Sequence, residues 1–466
     1  MAGLLAAYWG VDLLVAMSPD ALPDFVRVGI DLRVLWFTFG VCVAAGLLAG
    51  MVPAITASRS SLSAVMNTAG RSDGGSSTML RRGFVTVEIA LAVVLLIGAG
   101  LMLRTMGQLQ QVDTGFRPGG LVTMRLALPF PSPDDDTTPQ RLSIFSRTLL
   151  EHVRGVPGVT SASLSSDVPL GTSTSATNLR IDDRETRVRV YRHLVSPGHF
   201  QTIGAPLLEG RDFTDDDRET TGERRIIVSR AMAARYWPAG GALHQRVWRD
   251  EQAYEIVGVV GDLQHRRLLE PDSADPDIYI PLYQQPAPAF AVLVRTASAP
   301  EPVVAAIRQI LAKLDPTAPV FQVETGEQLL RRQTSGVRFI STLFGAFAFV
   351  ALLLTVIGIY GVTAYVVSRQ TRQVGIRMAL GATPASVFRL VLSGGVALVA
   401  AGLALGTLAA MGLTRILSRL VYGISATDPL TFAAVIALFA VVAVLACLVP
   451  AVKATRIDPL RALRSE

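Results

Sequence analysis

The sequence predicts an α-helical membrane protein that carries an α+β domain outside the membrane. Three observations lead there. Five long stretches are free, or nearly free, of charge; the arginines gather in alternate connecting segments; and a block from Gln108 to Arg332 has the mixed polarity of water-soluble structure. Half of the 466 residues are hydrophobic and 17% are charged. An average soluble domain is about a quarter charged, so this composition excludes a disordered chain and argues against a wholly soluble one. The net charge of +6 raises the question of nucleic acid, which the placement of the charge settles below. Cys42 and Cys447 both lie in apolar runs, so they offer neither a metal cluster nor a disulfide framework.

In chain order, Met1–Val11 is apolar but too short to span, and it lacks the basic start and cleavage site of a signal peptide. Val34–Ser58 holds no charge, with Pro53 marking the end of its apolar part, and Gly83–Leu103 holds only Glu88. Phe339–Ser368, Leu390–Thr414 and Pro429–Val452 are uncharged throughout. A span needs about 20 apolar residues, so all five qualify. At about 1.5 Å per residue the Phe339–Ser368 helix exceeds the hydrocarbon thickness, so it tilts or projects.

Between the second and third spans, strand-like runs occur at Leu121–Leu128, Val188–Val195, Arg225–Ser229, Tyr254–Val260, Ile278–Pro281 and Ala291–Arg295. Helix-like runs occur at Gln140–Arg154, Ala231–Trp237 and Pro302–Leu314. Their alternation predicts an α+β domain whose sheet has one solvated face. The polar stretch Asp212–Arg225, with the acids Asp215–Asp217, is expected to be an exposed loop. All five histidines fall in this block at scattered positions, each expected to be satisfied or exposed.

The arginines orient the chain. Arg59, Arg71, Arg81 and Arg82 follow the first span; Arg369, Arg372 and Arg377 follow the third; Lys453, Arg456, Arg461 and Arg464 follow the fifth. If the spans alternate, all three groups share one side, and the positive-inside rule makes it cytoplasmic. Arg415 and Arg419 count weakly against this. The Gln108–Arg332 block is then extracytoplasmic with mixed charge, so no nucleic-acid partner is expected.

The chain also repeats itself. At a shift of 397 residues Asp31 meets Asp428, Pro53-Ala54 meets Pro450-Ala451, and Ala57-Ser58-Arg59 meets Ala454-Thr455-Arg456. Gly3-Leu4-Leu5-Ala6-Ala7 resembles Gly406-Thr407-Leu408-Ala409-Ala410 in a slightly different frame. Residues 1–66 therefore read as the end of a first copy and 80–466 as a complete second one, with Met1 falling inside a helix, as in a truncated fragment.

Two segments carry a family resemblance. One is Arg369-Gln-Thr-Arg-Gln-Val-Gly-Ile-Arg-Met-Ala-Leu-Gly-Ala-Thr383, and the other Pro450-Ala-Val-Lys-Ala-Thr-Arg-Ile-Asp-Pro-Leu-Arg-Ala-Leu-Arg464. With a large outer domain between the first and second of four spans, the chain resembles the MacB/FtsX-type permeases of ABC transporters. Gly210-Arg211-Asp212-Phe213, Glu255-Ile-Val-Gly-Val-Val-Gly-Asp262 and Tyr279-Ile-Pro281 resemble that family's periplasmic core. The two-copy layout resembles the duplicated permeases of acidobacterial type. The resemblance implies residues 1–66 as the C-terminal remnant of a first transmembrane unit and 67–82 as a cytoplasmic linker. It further implies 83–105 as the first helix of the second unit, 106–335 as a MacB-like periplasmic core domain, and 336–466 as an FtsX-like permease domain with three helices.

Elementary physics gives the first motif a role beside the resemblance. A helix continuing to Leu380, a left-handed cap at Gly381 and Thr383-Pro384 opening the next helix make a rigid elbow. It would present Arg369, Arg372, Gln373, Ile376, Arg377 and Leu380 to a groove on a soluble partner. The resemblance implies that this partner is a cytoplasmic ABC ATPase. Gln373 stands where family members commonly have Glu, which removes a charge from the docking surface. The competing reading is that these arginines are only a topology signal among lipid head groups. Lys453, Arg456, Asp458, Pro459 and Arg464 form either a second cytoplasmic contact or a plain anchor for the last span. Glu88, as an intramembrane acid, is a functional candidate that lies near the cytoplasmic end. Gly358 with Gly361, Gly394-Gly395, and Gly402 with Gly406 are expected at close helix contacts.

No Gly-x-x-x-x-Gly-Lys-Ser/Thr loop occurs, and neither lysine follows a glycine, so the energy source is expected on a separate subunit. No catalytic motif, metal or cofactor is expected. The leading expectation is a permease of the plasma (inner) membrane, with its C-terminus cytoplasmic, working in export with the ATPase. One unit has one elbow and such ATPases act as dimers, so a second permease unit is expected, as a homodimer or as the missing first half. The alternative is an FtsX-like transducer controlling an extracytoplasmic partner such as a cell-wall hydrolase.

Overall fold

The computed structural model describes residues 9–10, 12, 31–58, 75–109, 111–128, 138–171, 175–181, 187–218, 224–266, 276–369, 380, 383–417 and 428–455. The chain divides into two compact units, one of Met1–Gln110 with Ser335–Glu466 and the other of Gln111–Thr334.

The first unit is helical: α1 (Leu32–Ser58), α2 (Gly75–Leu109), α7 (Gly326–Arg369, entering from the second unit's sequence), α8 (Pro384–Leu417) and α9 (Pro429–Thr455). Among the described residues four of these are long and apolar enough to cross a membrane: Arg81–Leu109, Gly326–Ser368, Phe388–Leu413 and Pro429–Val452. Helix α1 is apolar over Leu32–Leu47. Both α1 and α9 have 27 residues, begin and end in the same 397-residue frame, and are opened by an aspartate. Asp31 Oδ1 accepts from Arg33 N at 3.0 Å, and Asp428 Oδ2 from Thr431 N at 2.9 Å. Both also pass through a proline, Pro53 and Pro450, without ending there.

In lipid every backbone and hydroxyl group must find an internal partner. Thr86, Ser341, Thr355, Thr363 and Thr407 bond back to the carbonyl four residues earlier, at 2.7–2.8 Å. Helix α2 packs along α8 and α9 through Ile89, Val93, Ile97, Leu398, Val399, Val435 and Phe439. Small residues let the backbones approach. A Cβ at Gly402 would fall 2.5 Å from Ile89 Cγ2, and one at Gly406 2.8 Å from Ala90 O. Gly395 is filled by Cys447 Sγ in the same way, but Gly361 and Gly394 have nothing within 4 Å, contrary to expectation. Cys447 is buried and Cys42 exposed.

Among the described residues the second unit holds eleven strands: β1 (Leu121–Ala127), β2 (Val159–Ser165), β3 (Ser175–Ile181), β4 (Arg187–Val195), β5 (Leu207–Gly210), β6 (Arg224–Ser229), β7 (Arg246–Arg249), β8 (Gln252–Val260), β9 (Asp277–Pro281), β10 (Ala289–Thr296) and β11 (Val320–Thr325). Four helices accompany them: α3 (Thr138–Arg154), α4 (His199–Ile203), α5 (Arg230–Tyr236) and α6 (Pro300–Leu314). Strands β11-β1-β10-β2 form an antiparallel sheet. Helices α3 and α6 cover one face with Leu149, Leu150, Val153, Val303, Ile307 and Leu311, and Phe200 and Ile203 of α4 are buried beside β2 and β10. The expected solvated face is therefore wrong: β10 is buried along nearly its whole length because helices cover both sides.

The remaining long strands close on themselves. β3 pairs with β4, β4 with β9, β9 with β6, β6 with β8, β8 with β7, and β7 with β3. This six-stranded barrel encloses Leu179, Val190, Ile226, Val228, Val247, Ile256, Ile278 and Ile280. Fully burying a side chain of this size contributes about 1.5–3 kcal/mol, so the barrel core is a principal source of cohesion. Sheet and barrel join through one strand pair, Ser165 opposite Val195.

Candidate functional site

Most of the expected elbow lies outside the described residues: Arg372, Gln373, Ile376, Arg377 and Gly381. So do Arg456, Asp458, Pro459 and Arg464 of the tail, and the side chains of Arg369 and Lys453, which end α7 and lie in α9. At the edge of the elbow, Leu380 is 82% exposed. Thr383 O accepts from Ser386 N at 2.9 Å and from Ser386 Oγ at 2.6 Å, and α8 opens at Pro384, whose fixed φ is pre-set for a first helical position.

Glu88 sits on α2, and a Cβ at Gly358 of α7 would fall 2.8 Å from its Oε2. The carboxylate is thus housed against bare backbone, which only glycine at 358 allows. On the same pair of helices Arg81 stacks on the Tyr365 ring at 4.4 Å. At the other end of α2, Arg104 pairs with Asp428, whose carboxylate also accepts from Thr431 Oγ1 at 2.6 Å. The Thr431 and Arg104 bonds hold Asp428 down at about 2.

The second unit gathers a polar cluster that the sequence order conceals. His193 is satisfied at both ring nitrogens, as expected, while the buried His199 and His265 each keep one nitrogen without a partner, against expectation. His193, on β4, bonds through Nδ1 to Asp167 Oδ2 at 2.6 Å and through Nε2 to Asp277 Oδ1 at 3.0 Å. The His265 ring stacks on it with centroids 3.7 Å apart, and His265 Nε2 meets Tyr279 Oη at 3.0 Å. His199 Nδ1 lies 3.3 Å from Ser163 Oγ. All three imidazoles are buried, and His199 Nε2 and His265 Nδ1 have no hydrogen-bond partner. His152 and His244 lie outside the cluster, exposed.

This cluster lies where the sheet meets the barrel. Ser166 Oγ accepts from Leu194 N at 3.0 Å, and Ser196 Oγ accepts from Leu164 N at 2.9 Å, lacing β2 to β4 around the single strand pair. Electrostatics then places one proton. Burial alone pushes His193 down, but the bonds to Asp167 and Asp277 outweigh it and raise the ring to about 9. His193 is therefore an imidazolium donating from both nitrogens. Burial and the positive His193 push His199 down to about 3 and His265 well below its ordinary value. Burial, then the nearby carboxylates, push Tyr279 well up. A single charged ring between two carboxylates thus fixes its neighbours as neutral.

In the stretch expected as an exposed loop, Asp212–Arg225, residues 219–223 lie outside the described residues, and Thr214, Asp215 and Asp216 are exposed as expected, but two positions are not. Phe213 and Asp217 are buried. Arg211 grips Asp217 with two bonds of 2.6 and 2.8 Å, Thr214 N donates to it at 2.8 Å, and Gln284 Nε2 donates to its backbone oxygen at 2.6 Å. Burial raises Asp217, but the Arg211 and Thr214 bonds more than offset that and lower it.

A profile of the MacB-like periplasmic core domain matches residues 89–322, and one of the FtsX-like permease C-terminal domain matches 345–459. The chain belongs to the MacB/FtsX family of ABC transporter permeases. The uncharacterized ABC transporter permease YknZ of Bacillus subtilis is 24% identical over 407 residues, covering 84% of this chain and 97% of the relative. The pyoverdine export ATP-binding/permease protein PvdT of Pseudomonas putida is 28% identical over 279 residues, covering 56% of this chain. The chain covers 41% of that relative's length. Among solved structures, the periplasmic region of MacB from Actinobacillus actinomycetemcomitans aligns with a TM-score of 0.33 and 11% identity over 47% of this chain and 94% of that one. The permease has its MacB-like core inserted between α2 and α7.

Proposed function

We propose that the chain is the transmembrane subunit of an ABC transporter of the plasma (inner) membrane, and that it passes ATP-driven motion from a separate cytoplasmic ATPase to an extracytoplasmic domain for export. The observation that supports this is the continuity of α7. It runs 44 residues without a break from Gly326, directly after the last strand of the second unit, to Arg369, the first residue of the elbow motif. At about 1.5 Å per residue this is a rod of about 66 Å, longer than a bilayer core of about 30 Å. A rod of this kind transmits displacement where a loop would absorb it.

In this reading the ATPase grips the elbow through Arg369, Arg372, Gln373, Ile376, Arg377, Leu380 and Gly381, and the cytoplasmic tail adds Lys453, Arg456, Asp458, Pro459 and Arg464. Glu88, seated against Gly358, keys α2 to the rod. The substrate is already outside the membrane when the outer domain acts on it. Residues 106–335 form that domain, 83–105 and 336–466 the permease, and 1–66 with the 67–82 linker the end of a preceding unit. A second permease unit completes the pair of elbows that a dimeric ATPase needs, and lipid surrounds the spans. The test is a Gly381→Val variant reconstituted with its ATPase. The variant is expected to fold and insert normally but to lose stimulation of ATP hydrolysis. Full stimulation in a well-folded variant contradicts the proposal.

A further inference from the structure

The inner wall of the barrel is apolar except at one mouth. The starts of β3, β6 and β8 and the ends of β4, β7 and β9 surround that mouth, as their pairing directions require. Arg192 of β4 shares the inward parity of Val190 and Leu194, Arg249 of β7 that of Val247, and Arg224 of β6 that of Ile226 and Val228. Three guanidinium groups from three strands therefore belong to one opening.

Their partners are strikingly few in charge terms. Arg192 Nη1 and Arg249 Nη1 both donate to one neutral oxygen, Gln285 Oε1, at 2.7 and 3.0 Å. Arg224 Nη1 lies 3.4 Å from Tyr254 Oη, another neutral group. The Nε atoms of Arg192, Arg224 and Arg249 are all buried without a hydrogen-bond partner. The carboxylate paired with Arg249 is Asp250, whose Oδ2 lies 3.5 Å from Arg249 Nε and whose side chain is 83% exposed; Asp167 and Asp250 also act on Arg192 through space. Burial and then the neighbouring Arg249 press Arg192 towards the neutral form, and Asp167, Tyr254 and Asp250 offset this only in part. Two like charges held on one amide oxygen, away from bulk water, are destabilising unless an anion joins them. Guanidinium forks match the planar, two-oxygen edge of a carboxylate or phosphoryl group.

We propose that this barrel mouth is a binding site for an oxyanion, a carboxylate or phosphoryl group, held by Arg192 and Arg249 with Arg224 beside them. The site lies in the second unit, and it would let that unit recognise an acidic terminus or head group on whatever it handles. It does not depend on the coupling role proposed above. Arg192 and Arg249 are only partly buried, so an anion can enter from solvent.

The test uses the full chain purified in detergent, titrated calorimetrically with inorganic phosphate and, separately, with acetate, at constant ionic strength against chloride. Saturable binding of at least one is expected, and phosphate binding without acetate binding, or the reverse, tells the two sources of the oxyanion apart. Arg192→Gln and Arg249→Gln are each expected to weaken binding at least tenfold. Gln285→Ala is expected to retain it, because the amide competes with the anion for the same donors. Melting curves of the ligand-free variants show that they are folded. No saturable binding of either anion by the wild-type chain, or undiminished binding in both arginine variants, overturns the proposal.

Discussion

Replacing His193 with Gln removes the one positive charge from the junction cluster while keeping hydrogen-bonding capacity and approximate size. The imidazole stands at about 9 in the folded chain, against an ordinary value of about 6.5. At about 1.4 kcal/mol per unit, this difference amounts to about 3 kcal/mol of stability. The bonding gives a similar figure, since two charge-assisted bonds contribute about 1.5–3 kcal/mol each before the cost of burying the ring. The sign follows from the direction of the shift. A raised base binds its proton more tightly when folded, so its contribution is complete below about pH 6.5 and disappears as the pH rises through about 9. His199 and His265 act oppositely: they are held neutral, so the fold weakens as the pH falls below about 6.5. Calorimetric melting of the full chain in detergent should therefore show the outer unit most stable near pH 6.5. The Gln variant should melt about 6–12 °C lower there, at about 2–4 °C per kcal/mol for a domain of this size. It should also lose the decline between pH 6.5 and 9 while keeping the acid-side decline. A wild-type unit equally stable at pH 6.5 and 9.5, or a variant that melts within 2 °C of it at pH 6.5, refutes the reasoning.

Three further variants test the packing and the pairing. Gly402→Leu forces a side chain into Ile89, where even a Cβ would lie 2.5 Å from Cγ2, and should destabilise the helical unit by about 1–3 kcal/mol. Gly361→Ala meets nothing within 4 Å and should leave detergent-solubilised thermal stability unchanged or slightly higher, so equal effects of the two changes would show the packing to be wrong. Asp217→Asn breaks the two-bond grip of Arg211 and should cost about 1–2 kcal/mol at pH 7, at the low end because Arg211 is half exposed. Because the Asp217 carboxyl is lowered, its contribution is present above the ordinary carboxylate range and lost below it, and wild type and variant should converge in acid.

Hydrophobic pattern made the long elements readable. The helices α2, α7, α8 and α9 contain the uncharged or nearly uncharged runs and, except for α9, extend well past them, α7 starting 13 residues before Phe339, while β1, β4, β6, β8, β9 and β10 coincide with Val-, Ile- and Leu-rich segments. β11, Val-Phe-Gln-Val-Glu-Thr, escaped reading despite two valines and a phenylalanine, and the other unread strands lack that signal. β2 is Val-Thr-Ser-Ala-Ser-Leu-Ser and β3 is Ser-Ala-Thr-Asn-Leu-Arg-Ile, while β5 and β7 have four residues each. Such segments become strands because longer neighbours supply register and backbone partners, and this is tertiary information. The junction cluster was illegible for the same reason. Asp167, His193, His199, His265 and Asp277 lie on separate elements, and only the crossing of β2, β4 and β9 brings them together. One local signal was present: Tyr-Arg-His-Leu-Val in β4 and Asp-Ile-Tyr-Ile-Pro in β9 place a polar group inside otherwise apolar strands, where it must find a partner. The three-arginine mouth was equally hidden, because alternation along one strand does not reveal that six strands close.

The central claim is that the motor and the domain it moves lie on opposite sides of the membrane. Ala297, exposed after β10, offers a position for the measurement. In a chain with Cys42 and Cys447 replaced, Ala297→Cys is treated in intact cells with a membrane-impermeant maleimide, alongside a cysteine added after Glu466. The account predicts that the first labels without permeabilisation and the second only after it. Labelling of the Ala297 position only in opened cells would contradict it.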